Sequence, residues 1–307
     1  MPLLSNAISL PSPLQQRLED AAHSFIHPAR GPAIDFSVPA GEQALGAPDS
    51  LSWQVFKNPL SLFIGGITAV VLELAEPRVR TGVWEHTCFR HDPRARLQRT
   101  GLAAMLTVYG PRSKAEAMIA RVAGMHGRVH GVTPCGQDYR ADDPELLDWV
   151  HATASFGFLE AYNAYVRPLS APEGDRFYAE GACSARLYGA LGAPQSQAEF
   201  NTLLEQMRER LEPSAIVFDF LEIMRRAPLL PRPLRAFQRV LVDAALALLP
   251  DSLITHLQLQ AQVGLRSWQR DLIRHCGAAA DRIVLRSCPA VQACRRLGLP
   301  DDYLYTR

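Results

Sequence analysis

The stretch PLSLFIGGITAVVL, Pro59 to Leu72, runs for fourteen residues without a charge. It constrains the fold more than any other segment. A helix that spans a bilayer needs about 20 apolar residues; this run is shorter, and it ends at Glu73. A helix that is apolar on every side has to be covered on every side. The expectation is therefore a buried helix. With 307 residues, 48% of them hydrophobic and 21% charged, there is material for one large core.

The other elements read as helices. Apolar periodicity predicts them over 12–25, 94–108, 113–129, 143–166, 172–190, 197–211, 214–225, 232–248 and 252–262, beside the buried one over 59–75. Start signals accompany several. Ser113 with Glu116 three residues later reads as a capping box, Asp143 as an N-cap with Pro144 at the first helical position, and Ser196 as a cap ahead of another periodic run. Strand signals are few: RIVLRS at 282–287 is too short to build a sheet, and no fixed-period repeat is present. Residues 1–50, rich in Pro, Gly and Ser, read as an N-terminal arm, and 263–307 as a solvated, helical C-terminal extension. The fold class expected is all-α, globin-like in class, with a single large helical bundle over 51–262.

Composition removes several function classes. A formal charge of +1 gives no footprint for nucleic acid and no polybasic patch for a membrane surface. The N-terminal residues lack the basic and apolar regions of a secretory signal, so a cytoplasmic location is expected. Six cysteines (Cys88, Cys135, Cys183, Cys276, Cys288, Cys294) form no CxxC pair and no CxxCH. They read as reduced, small buried residues, with neither structural zinc nor covalently attached haem. A homo-oligomer is left open.

Two constellations carry chemistry. In DPRARLQRT, Arg96 and Thr100 are four apart and share a helix face, with Arg99 about 100° around the axis. Beyond them the face turns apolar through Leu102, Met105, Leu106 and Val108. This suits a pocket for a small polar group in greasy surroundings, although on spacing alone solvent-facing charge at a helix start is the favoured reading of the arginines. The second set is His126, His130 and His151, three imidazoles within 26 residues. On one continuous helix His126 and His130 project to the same side, yet HGRVH lacks the glutamate of an HExxH zinc site. Neutral imidazole is also the commonest protein ligand of iron, and one suffices for haem. Non-haem iron on all three would lack a carboxylate for its facial triad.

In order along the chain stand Arg96 with Thr100, His126 with Val129 and Gly131, Tyr139 with Ala141 and Pro144, Trp149-Val150-His151-Ala152, and Tyr178 with Glu180. This ordered set resembles the catalytic domain shared by latex-clearing proteins (rubber oxygenases) and MpaB-type oxygenases, over about residues 50–255. The resemblance implies a non-covalent haem b, with His126 as the proximal iron ligand and Arg96, Thr100 and Arg99 on the distal side. It implies that His151 orients the ring or a propionate. Relatives carry arginines where this chain has Ala123 and His130, so Arg121, Arg128 or His130 is left to neutralise the propionates. Some relatives use a distal glutamate as a base; Glu85 is the candidate, against a structural role for Glu85 and His86 at a helix terminus. The function implied is a haem-dependent oxygenase acting with dioxygen on a hydrophobic, unsaturated small molecule. Two other readings stand beside it: a haem carrier or sensor without turnover, and a metal-free helical protein that binds lipid or a partner.

Overall fold

The computed structural model describes residues 7–8, 10–26, 34–230 and 232–306. Its helices are α1 (Ser12–Ile26), α2 (Leu51–Phe56), α3 (Pro59–Ala75), α4 (Pro77–His86), α5 (Pro93–Tyr109) and α6 (Arg112–His126). After a two-stranded ribbon, β1 (His130–Val132) and β2 (Asp138–Arg140), come α7 (Pro144–Tyr165), α8 (Ala171–Tyr188), α9 (Gln197–Met207), α10 (Ala215–Arg226), α11 (Arg235–Leu246), α12 (Asp251–His256), α13 (Ser267–Ala280) and α14 (Pro289–Arg296). Helices hold 66% of the residues, and the ribbon is the sole sheet among those described, so the fold is all-α.

The uncharged run forms α3, as expected, and α3 lies at the centre. Asn58 starts it by accepting from the Leu60 and Ser61 amides, with Pro59 at the first helical position. Its closest partner is α7. Gly65 and Gly157 face each other there, and a Cβ added to Gly65 would lie 2.5 Å from the Gly157 carbonyl oxygen. Two glycines let the backbones approach as no other residue could. Around this pair pack α2, α4, α8, α10, α11 and α13. At Glu76-Pro77 the chain bends by 110° into α4, since the residue before a proline avoids the helical region; the Glu76 side chain then caps α4 at the Val79 amide. No single helix among the described residues is long and apolar enough to cross a membrane.

Several boundaries differ from the sequence reading, each for a physical reason. The Asp143 and Ser196 caps form, accepting from the Glu145 and Glu199 amides. The Ser113 capping box does not. α6 begins at Arg112 behind Pro111, and the Ser113 amide donates instead to the Glu42 carboxylate at 2.6 Å. α6 also stops at His126, because Gly127 ends it, and the chain turns into β1. His126 and His130 therefore do not share a helix face. Residues 282–287 form no strand; Ile283 makes an isolated bridge to Ile8.

The segments flanking the bundle are not loosely solvated. Phe36 and Ala44 are buried in the core. From the other end, Arg296 reaches in with 2% of its surface exposed. It donates to the carbonyls of Phe36 (2.6 Å), Glu42 (2.7 Å) and Tyr109 (2.8 Å), fastening arm, α5 and α14 together. All six cysteines are free; Cys135 and Cys183 are exposed and Cys294 is buried.

Candidate functional site

Three helix faces keep accessible surface. On α3 the face is Leu62, Gly66, Val70 and Glu73; on α5, Arg96, Thr100, Ala103 and Thr107; on α7, Leu147, His151, Ala154 and Phe158. Each set follows the helical repeat of three and four residues. α5 packs on α2, α6 and α14 and stands off the α3–α7 pair. Thr107 meets the Tyr188 hydroxyl of α8 at 3.0 Å. Burial is the leading cause of the shifted proton affinities of Glu73, Arg96, His126 and His151, yet all four retain accessible surface. The four groups are deep among helices without being fully covered.

His126 is the last residue of α6. Its Nδ1 is buried with no hydrogen-bond partner, an uncommon state for a buried polar nitrogen. Burial, then the nearby Arg96 guanidinium, lowers its pKa, against a smaller opposing pull from Asp142; the ring is therefore held neutral, the form that ligates metals. A cleft of about 320 Å³ opens beside it, lined by Ala123, Asp142, Leu147, Arg186 and Tyr188 among others. His151, on α7, is also kept neutral, its pKa pushed down to about 4 by burial alone. Gly181 of α8 makes room for that ring, since a Cβ there would lie 3.2 Å from the His151 Nε2.

Arg96 and Thr100 come together as their spacing predicts: an Arg96 Nη donates to the Thr100 hydroxyl, which in turn donates to the Arg96 carbonyl at 3.0 Å. Arg99 points away, donating to the Cys88 sulfur at 2.7 Å, and is exposed. The structure also places near Arg96 a carboxylate that the sequence reading passed over. Glu73 makes no side-chain hydrogen bond; burial raises its pKa to about 7, with Arg96 pulling in the other direction. Glu85, the glutamate chosen from sequence, is exposed near the end of α4. Its neighbour His86 bonds the Tyr139 hydroxyl at 3.1 Å and so fastens α4 to the ribbon. Arg121 and Arg128 are exposed, as is His130, which pairs with Arg140 in the ribbon. Of the nine residues singled out, His126 lines the cleft; Arg96 stands near it and near Glu73, Thr100 is bonded to Arg96, and His151 is buried beside Gly181. Among the described residues no three His, Cys, Asp or Glu side chains gather to hold a bare metal ion.

The Glu73 environment has a pH signature. Its carboxyl pKa is raised from 4.5 to about 7 in the folded chain. Between those values the native state keeps a proton that the unfolded state releases, so this group lowers stability as pH rises through the window. The full cost above pH 7 is about 3 kcal/mol. Glu73→Gln is expected to match the wild type in denaturant midpoint at pH 4 and to exceed it at pH 8. An equal gain at both pH values would show that the carboxyl does not titrate in this window.

A family model described as the catalytic domain of ER-bound oxygenase mpaB/B′ and rubber oxygenase matches residues 53–282. The match begins in α2 and runs past the end of α13, so it contains the whole cleft. No curated protein and no solved structure matches the chain.

Proposed function

The chain belongs to the mpaB/rubber oxygenase catalytic-domain family, and from that premise we propose that it is a haem b-dependent oxygenase acting with dioxygen on a hydrophobic, unsaturated small molecule. The observation that carries the cofactor is the His126 imidazole, neutral and lining the cleft, with a buried Nδ1 that has no hydrogen-bond partner among the described residues. The donor set fits a porphyrin iron, which needs one axial imidazole from the protein. A bare ion would need several ligands, and no such cluster exists among the described residues.

Bound there, haem would supply a redox-active iron with a coordination position free for dioxygen. The rest is work for this chain. Arg96 is anchored at Thr100 through part of its guanidinium and keeps other N–H donors for an oxygen atom in the cleft. Glu73, with a pKa near neutrality, can take a proton from the substrate and return it at ordinary pH. Ala123, Leu147, Leu187 and Tyr188 give an apolar guest surface in the cleft to replace water. A cofactor carrier has no need of a buried carboxyl that costs stability, and Glu73 therefore favours turnover over carriage.

The purified protein is expected to show a Soret band that shifts with dithionite, and His126→Ala is expected to lose it while keeping the helical circular dichroism. Dioxygen uptake with apolar alkenes would follow in the wild type and fall at least 100-fold in Glu73→Gln if proton transfer limits turnover. A colourless wild type from haem-replete cells sinks the cofactor; a red protein that consumes no dioxygen leaves the carrier.

A further inference from the structure

Haem b carries two carboxylates, and a site that takes it needs a cation for them. None of the cations weighed from sequence lines the cleft beside His126: Arg121, Arg128 and His130 all lie elsewhere. On the α6 wall stands Ala123, which brings a methyl group and no charge. Facing it, from the last turn of α8, is Arg186. Every other charged side chain of the cleft is engaged or masked. Asp142, the one carboxylate there, is held by Arg140 in two parallel bonds of 3.0 Å. Arg186 alone among the lining residues brings a guanidinium, and this guanidinium has neither a hydrogen bond nor an ion pair.

An unpaired guanidinium and the His126 imidazole therefore line one cleft of about 320 Å³. The first is built for a carboxylate and the second for a metal. We propose that Arg186 is the counter-ion for the carboxylate end of the porphyrin that His126 holds. The proposal rests on the haem reading above, and it assigns to α8 a charge that the α6 segment around His126 does not provide. Asp142, being neutralised by Arg140, leaves the cleft free to accept an anion. Arg186 is exposed, so its substitution tests binding without disturbing the core.

The test is titration of the apoprotein with haemin and, in parallel, with haemin dimethyl ester, whose carboxylates are masked, following Soret absorbance. Arg186→Ala is expected to weaken haemin binding about tenfold or more and to leave the ester within about twofold of wild type. Arg186→Lys should recover part of the loss, and Arg121→Ala and Arg128→Ala should bind haemin as the wild type does. Wild-type affinity for haemin in Arg186→Ala overturns the proposal, and so does equal weakening toward haemin and its ester, which marks a structural role. If the wild type binds neither ligand through His126, the haem reading falls and this assignment with it; loss of the Arg186 effect alone leaves that reading standing.

Discussion

Arg296→Met is expected to cost about 3–5 kcal/mol of folding stability, the range for removing one partner from a buried charged interaction. The side chain is buried and serves three carbonyls, two from the arm and one at the end of α5. No carboxylate hydrogen-bonds it, so those carbonyls are what make its burial tolerable. Methionine fills the volume but leaves all three acceptors without a donor, and each unsatisfied group costs about 1–3 kcal/mol. Arg296→Lys should recover little, because one ammonium on a flexible stem cannot reproduce the planar fork. Chemical denaturation followed by circular dichroism measures the loss. A change below about 1 kcal/mol would mean that arm and α5 are held by other contacts.

Comparable damage is expected at the α3–α7 crossing. Gly65→Ala drives a methyl group against the Gly157 carbonyl and to within 2.8 Å of the Phe158 Cα, and Gly157→Ala does the same against the Gly65 carbonyl. These are backbone atoms, so no rotamer change relieves the clash. The two central helices have to separate. Overpacking usually costs about 1–3 kcal/mol; a cost at or above the top of that range is expected here, because the strain spreads along both helices. Gly66→Ala is the control. Its Cβ would meet only the Phe158 ring edge at 3.9 Å, and the higher helix propensity of alanine should make it neutral or slightly stabilising. Equal melting temperatures for the two variants would remove this account of the core.

The sequence shows the fold class plainly because helix signals are local. An uncharged run that ends at Glu73, a proline behind Asp143 and a serine before Gln197 each specify an element without reference to the rest of the chain. Readings failed where a distant segment outbid a local one. Ser113 has the spacing of a capping box, but the Glu42 carboxylate from the arm occupies its amide. The MHGRVHG segment carries its own stop in Gly127, and extending the helix to residue 129 put His130 on the wrong element. In the site, the four-residue spacing of Arg96 and Thr100 was enough to predict their bond. Glu73 was not legible as a neighbour of Arg96, because it looks like the charged end of an apolar run; its placement depends on α5 standing off from α3. The signal available was its position on one face with Leu62, Gly66 and Val70. Arg186 likewise resembles any cation near a helix end until the cleft opposite Ala123 is seen.

The Arg296 fastening also sets an order of events during biosynthesis. The carbonyl of Tyr109 is translated 187 residues before its donor, and those of Glu42 and Phe36 precede it by 254 and 260. At ribosomal speeds of about 5–20 residues per second, the far end of α5 waits roughly ten to forty seconds for its clasp. A nascent chain therefore carries His126 and Arg96 on a wall whose last tie has not yet been made. Until then the arm and the end of α5 are held only by their other contacts.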